Sequence, residues 1–298
     1  MSTLNSTRMP VYFLSHGGGP WPYMSGPMRK HFDLLERSLQ DIPAQLPRKP
    51  KAVLVISGHW EESEVSISSA SAPGMVFDYY GFPPETYQIS YPAPGEPVLA
   101  ERVRQLLHRA GWPARLDPER GYDHGTFSMM KAIYPDADVP VVQVSLKSSL
   151  DPAEHFAMGR VLASLRDEGV LIVGSGLSSH NLRERGPQMA APSNAFDSWL
   201  RGALLNPASE VRRKALENWE QAPFARLNHP REDHLMPLMV VAGAAGDDPA
   251  TPIYGELFMG YMTASSFRFS EDTRPSRFDR LAAPATQSGG ARPATATA

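Results

Sequence analysis

The sequence V-L-V-I-S-G-H-W, residues 53–60, predicts a buried β-strand that is followed by a histidine. Its four leading apolar residues form a continuous run, which is typical of a strand covered on both faces. Ser57 and Gly58 then allow the chain to turn, so that His59 is presented at the end of the strand. The sequence alone indicates no role for Trp60.

The same pattern occurs twice more, in V-Y-F-L-S-H (residues 11–16) and in V-L-I-V-G-S-G-L-S-S-H (residues 170–180). Residues 139–180 also have the order strand, helix, strand, which implies parallel strands. In an open α/β sheet, ligands bind beyond the carboxyl ends of the strands. We therefore predict an α/β fold in which His16, His59 and His180 converge at that edge, and convergent histidines indicate metal or proton chemistry.

Composition excludes several classes of function. With 29 basic and 32 acidic residues the net charge is −3, and without a dense basic run neither a nucleic-acid nor a membrane-surface role is supported. The chain has no cysteine, so any metal must be held by nitrogen and oxygen. No signal-peptide layout and no apolar run of membrane-spanning length is present, so we expect a cytoplasmic protein with a small neutral or acidic substrate.

The length of 298 residues allows one large domain or two small ones. Beyond residue 270 the chain is charged and then rich in Ala, Pro, Thr and Gly, so residues 271–298 are predicted to be a disordered tail. Residues 71–97 form a long loop rich in proline and aromatic residues. Its aromatic rings either line a pocket for a flat ring or cover the edge of the sheet.

The nine histidines divide into two groups. For four of them we favour a surface or locally hydrogen-bonded side chain, because three fall within predicted helices and one precedes a proline: His31, His108, His155 and His229. The other five are the three that follow strands, together with His124 and His234. These last two lie beside carboxylates at loop-to-helix entrances, where an acid could fix the tautomer of a ligating imidazole.

Other catalytic signatures are weak. Gly17–Gly19 lacks the lysine and the spacing of a phosphate-binding loop, and G-S-G-L-S-S, residues 174–179, is neither a dinucleotide fingerprint nor a nucleophile elbow. Ser175 with a histidine could form a hydrolase site. The small residues around it are better explained by the close packing that carries His180 inward.

Six motifs, in order, resemble those of the class III extradiol ring-cleaving dioxygenases of the DOPA-dioxygenase-type branch: L-S-H-G-G, S-G-H-W, Y-P-A-P-G, Y-D-H-G, G-S-G-L-S-S-H-N-L and E-D-H-L-M-P-L. The resemblance covers about residues 10–269. It implies a single α/β catalytic domain over residues 1–270, with a central, mostly parallel or mixed sheet flanked by helices and the active site at the carboxyl ends of the strands. It also implies a non-haem metal and insertion of dioxygen into a catechol.

By the same resemblance, His16, His59 and His234 correspond to metal ligands, His180 to the general base, and His124 to a residue that orients substrate or oxygen. The wider class has a glutamate as third ligand, so Glu232 is an alternative ligand, and His180 could also approach the metal. Fe(II) is the expected working metal, because a three-ligand site leaves positions for catecholate and dioxygen. Three neutral ligands also suit zinc, which purified protein could carry.

The leading hypothesis is therefore an oxidoreductase of aromatic catabolism that cleaves a small, DOPA-like catechol with O2. Two alternatives stay open from the residues themselves. One is a zinc hydrolase that uses metal-activated water. The other is a non-enzymatic interaction protein in which the same histidines bind metal for stability or bind nothing. No oligomeric state is predicted.

Overall fold

The computed structural model describes residues 8–272 and 274–277. This part of the chain contains a mixed eight-stranded sheet with the order β4-β3-β5-β2-β6-β1-β8-β7. Its strands are β1 (Val11–Ser15), β2 (Ala52–Glu62), β3 (Val65–Ser68), β4 (Ala114–Asp117), β5 (Val141–Lys147), β6 (Val170–Gly176), β7 (Ala250–Phe258) and β8 (Met262–Phe269). The α-helices are α1 (Pro27–Lys30), α2 (Asp33–Gln40), α3 (Ile42–Gln45), α4 (Pro97–Arg109), α5 (His124–Ile133), α6 (Pro152–Leu162), α7 (Ala190–Leu204), α8 (Ser209–Glu217), α9 (Ala225–Asn228) and α10 (Met236–Ala245).

The centre of the sheet is parallel. Strands β5, β2, β6 and β1 run in one direction, whereas β8 pairs antiparallel with β1 and with β7. At the other side β3 is antiparallel to β5 and parallel to β4. A parallel centre with helices connecting its strands confirms the predicted α/β fold with a mixed sheet.

Both faces of the sheet are covered, which explains the continuous apolar run in β2. Leu54 and Ile56 belong to a core shared with α4, α6 and α10, whereas Val53 and Val55 belong to a second core shared with α2 and α5. Successive side chains of a strand point to opposite faces. Each apolar side chain of the run is therefore buried.

Helices α6 and α10 pack at unusually short range through glycine. A Cβ atom built on Gly159 would lie 2.0 Å from the carbonyl oxygen of Val240. We expect Gly159→Ala to lower the free energy of unfolding by about 1–3 kcal/mol, because the two backbones must move apart to admit a methyl group. Urea denaturation followed by circular dichroism measures the effect.

Gly202→Ala is the matched control for this change. Gly202 lies in α7 with open space around the position of a Cβ atom. The substitution there should raise the unfolding free energy by about 0.5–1 kcal/mol through helix propensity alone. Equal stability of Gly159→Ala and the wild type would contradict this, because it would show that α6 and α10 can move apart without loss of unfolding free energy.

Strand β2 differs from its sequence prediction. We expected a turn at Ser57 and Gly58, but the strand continues to Glu62, because Ser57 remains paired with Ser175 of β6. The pairing with β5 instead shifts between Ile56 and Glu61, which marks a β-bulge. The bulge, and not a turn, therefore re-aims His59.

Three local features of the fold follow from the structure. Strand β3 is buried along its whole length, with Val65 and Ile67 in the core that includes α4, and β4, which we did not predict, pairs with its outer edge. The helical segment after residue 26 is interrupted at His31 and Phe32, between α1 and α2. Strand β6 extends to Gly176.

The described residues beyond 270 lie against the domain. Ser276 Oγ donates a hydrogen bond to Asp41 at 3.2 Å, and Arg274 Nη1 donates to the carbonyl oxygen of Leu46 at 2.5 Å. The rest of the predicted disordered tail, residues 278–298, lies outside the described residues, as do residues 1–7. In residues 8–272 and 274–277 no helix combines the length and the apolar character that crossing a bilayer requires.

Candidate active site

Five histidine rings form one cluster at the carboxyl end of the parallel strands. His16 directly follows β1, and its ring centroid lies 5.0 Å from that of His59 and 5.3 Å from that of His234. His124 lies 4.0 Å from His59, and His180 lies 3.6 Å from His234. The structure thus brings together all five histidines that the sequence singled out.

Three of these rings form a group suited to a metal. One nitrogen each from His16, His59 and His234 lies within 4.8 Å of the others, and the Nε2 atoms of His59 and His234 are 3.1 Å apart. Both ring nitrogens of His16 are buried without a hydrogen-bond partner. A buried polar atom without a partner is costly, and coordination would remove that cost. An all-imidazole donor set of this kind fits iron or zinc.

The protonation of these rings also suits coordination. Burial lowers the pKa of His16, His59 and His234 well below the usual value for histidine, and neighbouring imidazoles lower it further. The rings are therefore neutral near pH 7. A neutral imidazole has the free electron pair that a metal ion needs.

Glycine allows the helix that carries His124 to approach β2. A Cβ atom on Gly125 would lie 2.9 Å from His59 Cδ2 and 3.0 Å from Ser57 Oγ. Any larger residue here would press on the ring of His59. This contact explains the glycine in the motif Y-D-H-G.

A buried carboxylate holds the start of α5. Asp123 caps the helix by accepting a hydrogen bond from the backbone N of Thr126 at 3.1 Å. It also accepts from Ser57 Oγ at 2.9 Å and from Arg120 Nη2 at 2.7 Å. His124 is the first residue of the helix, so this network fixes the position of its backbone relative to β2.

Trp60, which had no assignment from sequence, supports that network. The guanidinium carbon of Arg120 lies 4.7 Å from the centroid of the Trp60 ring, a cation–π distance. The indole Nε1 donates to Glu62 Oε1 at 3.0 Å. Trp60 therefore holds Arg120 in the orientation that reaches Asp123.

Asp78 is the site residue that the sequence interpretation missed. Its Oδ1 accepts hydrogen bonds from the backbone N and from Nδ1 of His124, at 3.0 and 2.8 Å, and its Oδ2 lies 3.2 Å from Nδ1 of His59. Burial opposes ionisation of this carboxyl, but the hydrogen bond and the charges of the two histidines outweigh burial and lower its pKa to about 2. The residue was overlooked because it lies among the aromatic residues of the long loop.

His180 occupies the open side of the cluster. Its ring is partly exposed and stacks on His234 with an interplanar angle of 22°. Burial, and then the charge of His124, lowers its pKa to about 4. The ring is neutral at pH 7 and able to accept a proton from a molecule that enters beside it.

The remaining histidines lie apart from the cluster, as predicted. His31 and His108 are exposed. His155 is buried, with Nδ1 2.7 Å from a main-chain carbonyl oxygen, and His229 is buried, with Nε2 3.1 Å from another. His155 thus has the local hydrogen bond that we expected of a structural histidine, whereas the partner of His229 is Ser178, 51 residues away along the chain.

Two alternative site residues are engaged elsewhere. The carboxylate of Glu232 pairs with Arg226 and does not join the three-histidine group, so its role as a substitute ligand is not supported. Ser175 is buried, and its hydroxyl donates to the carbonyl oxygen of Gly125 at 2.5 Å. Ser175 therefore contributes packing, as the sequence favoured, and not a nucleophile.

The aromatic loop covers the domain with one part and lies beside the histidine cluster with another. Tyr91 is buried in the core and donates to the carbonyl oxygen of Tyr134 at 3.0 Å, so this part covers the sheet. Tyr79 lies with its ring centroid 5.9 Å from that of His124, so this part borders the site. Tyr80, by contrast, is 91 % exposed.

An α/β sheet that carries a neutral histidine triad at the carboxyl ends of its strands, with two further histidines beside it, defines a candidate metal-dependent enzyme. Residues 10–269 match the family model of the catalytic LigB subunit of aromatic ring-opening dioxygenase, and the chain belongs to this family. Its relatives assign it to the DOPA-dioxygenase-type branch of the class III extradiol enzymes.

The chain is 38 % identical over 269 residues to 4,5-DOPA dioxygenase extradiol of Beta vulgaris, covering 87 % of this chain and 96 % of that protein. It is 40 % identical over 260 residues to 4,5-DOPA dioxygenase extradiol of Escherichia coli K12, covering 85 % and 92 %. The crystal structure of an uncharacterized protein from Escherichia coli K12 is similar, with a TM-score of 0.73 and 34 % identity over 88 % of this chain and 100 % of that one.

The protein is accordingly a non-haem, metal-dependent ring-cleaving dioxygenase that takes a small aromatic substrate and O2. Neither the zinc hydrolase nor the non-enzymatic interaction protein is favoured.

Proposed function

We propose that the protein is an Fe(II)-dependent extradiol dioxygenase of a small, DOPA-like catechol, with His16, His59 and His234 as metal ligands. The observation that carries this proposal is the group of three ring nitrogens within 4.8 Å, beside the stacked ring of His180. The named activity of the relatives from Beta vulgaris and Escherichia coli supports the choice of catechol. A cytoplasmic location remains part of the proposal.

His16, His59 and His234 would hold Fe(II), which would supply open coordination positions for a catecholate and for dioxygen. The chain prepares the catechol for this. His180 accepts a proton from a catechol hydroxyl at a ring nitrogen, because it is neutral and partly exposed next to His234. Tyr79 lies on the loop side of the histidine cluster, with its ring centroid 5.9 Å from that of His124.

His124 has the complementary role of orientation. Its Nδ1 is bound to Asp78 at 2.8 Å, and its backbone is fixed at the start of α5. The ring therefore has a single orientation, with Nε2 directed away from Asp78. In that orientation Nε2 forms a hydrogen bond to the substrate or to oxygen.

Metal replacement tests the proposal. Protein stripped by a chelator and reloaded anaerobically with Fe(II) is expected to consume O2 with a catechol panel that includes DOPA, and to form a yellow ring-opened product. Zinc-loaded protein is the control and should be inactive, because zinc has no redox chemistry.

Absence of O2 uptake across the panel in iron-loaded protein would contradict the proposed reaction. Activity with zinc that needs no O2 would point to the hydrolase.

A further inference from the structure

One carboxylate, Asp78, links the proposed metal site to the residue proposed to orient the substrate. Its Oδ1 accepts two hydrogen bonds from His124, and its Oδ2 lies 3.2 Å from Nδ1 of His59. The side chain is 18 % exposed, so water competes little with the carboxylate for the two rings. Among the described residues, no other side chain pairs with Nδ1 of both rings.

A carboxylate favours one tautomer in both rings. An ionised carboxylate only accepts hydrogen bonds, so it requires a proton on Nδ1 of His124, which donates to it at 2.8 Å, and favours a proton on Nδ1 of His59, which lies 3.2 Å away. In a neutral ring Nε2 then has the free electron pair. For His59 this is the atom 3.1 Å from Nε2 of His234, on the side where a metal ion would lie.

The carboxylate also supplies charge. The three proposed ligands, His16, His59 and His234, are all imidazoles, whereas Asp78 places a carboxyl group 3.2 Å from Nδ1 of one of them, His59. A carboxylate hydrogen-bonded to a ligating imidazole makes that ligand more basic, which strengthens its bond to a metal.

We propose that Asp78 is a positioning residue that fixes the tautomers of His59 and His124 together, and so couples metal affinity to substrate orientation. This inference rests on the proposed function, because it takes His59 as a ligand and His124 as the orienting residue. In this proposal Asp78 acts through the two rings and is not itself a metal ligand.

The substitution Asp78→Asn separates the two halves of this coupling. An amide has one oxygen and one NH2 group, so it cannot accept from both rings. Because His124 offers two donors, the amide oxygen remains with His124, and the NH2 group faces Nδ1 of His59. That contact requires an unprotonated Nδ1, which moves the proton of His59 to Nε2, the atom needed by the metal.

We therefore expect Asp78→Asn to weaken the affinity of the metal-free protein for Zn(II) or Co(II) by about 10- to 100-fold. Competition with a chromophoric chelator measures this without any catalytic assay. Imidazole ¹H–¹⁵N spectra give a second readout. The Nδ1–H signal of His59 should be lost, because its proton moves to Nε2, whereas the Nδ1–H signal of His124 should remain. In iron-loaded Asp78→Asn, kcat should fall more than KM changes.

Two further variants keep the test decisive. Asp78→Glu retains both acceptor oxygens and should recover part of the metal affinity that Asp78→Asn loses. Asp197→Asn removes a more deeply buried carboxylate, one that binds Arg201, and should leave metal affinity unchanged. The proposal would be overturned if Asp78→Asn and Asp78→Glu lost metal affinity equally, or if Asp78→Asn and Asp197→Asn did. Wild-type metal affinity and spectra in Asp78→Asn would also overturn it.

These outcomes are distinct from a failure of the proposed function. If His59 were not a ligand, His59→Ala would retain metal, yet the Nδ1–H signals would still report whether Asp78 fixes both rings. If His59 is a ligand but Asp78→Asn changes neither affinity nor spectra, only the inference about Asp78 fails.

Discussion

His59→Ala is expected to abolish metal binding and ring cleavage together. The ring of His59 lies beside those of His16 and His234, with centroids 5.0 and 4.6 Å away. Loss of one of three ligands should weaken metal affinity by more than about 100-fold, because the loss of a partner that merely contacts a ligand already costs 10- to 100-fold. Metal analysis after gel filtration and O2 uptake with a catechol measure the two effects.

His108→Ala is the matched control, because His108 is an exposed histidine on α4, away from the cluster. It should retain both metal and activity. Full metal content in purified His59→Ala would remove His59 from the ligand set and leave the proposed triad incomplete.

His180→Ala is expected to have a different signature, in which turnover is lost and metal content is nearly unchanged. Loss of a general base lowers the rate by about 10²- to 10⁴-fold. The metal should remain because the three-nitrogen group of His16, His59 and His234 does not include His180. Parallel measurement of kcat and of iron per protein molecule tests both parts.

A loss of iron in His180→Ala would instead make His180 a ligand. The stacking of His180 on His234 makes this a real alternative outcome. His31→Ala, which removes an exposed histidine in the segment between α1 and α2, controls for the general effect of losing an imidazole.

Much of the sheet could be predicted because its central strands are buried on both faces. A strand of that kind must be apolar at every position, and β1, β2 and β6 are recognisable for this reason. Strand β4 was missed because its sequence, A-R-L-D, alternates apolar and charged residues over only four positions. The bulge in β2 was taken for a turn because Ser57 and Gly58 are compatible with both, and only pairing with β6 distinguishes them.

The five histidines were predictable because the sequence pattern puts each near the end of an apolar strand or the start of a helix, and the topology of an α/β fold brings such positions together. Asp78 was not predictable in the same way. It lies in a loop without periodicity, and its position depends on how residues 71–97 fold across the sheet. Arg120 and Trp60 were missed for a related reason, since a cation–π contact leaves no pattern in the sequence.

The position of β1 in the sheet has a consequence for the order of events during synthesis. The first strand of the chain lies between β6 and β8, and the backbone N of Ser15 donates to Ser266 Oγ at 3.0 Å, across 251 residues of sequence. The residues that pack around β1 and the adjacent His16 are therefore complete only after almost the whole polypeptide has been synthesised. Contacts so distant along the chain form late and slowly. We expect chains that end before β8 to lack an assembled histidine cluster, although β8 itself contributes no histidine to it.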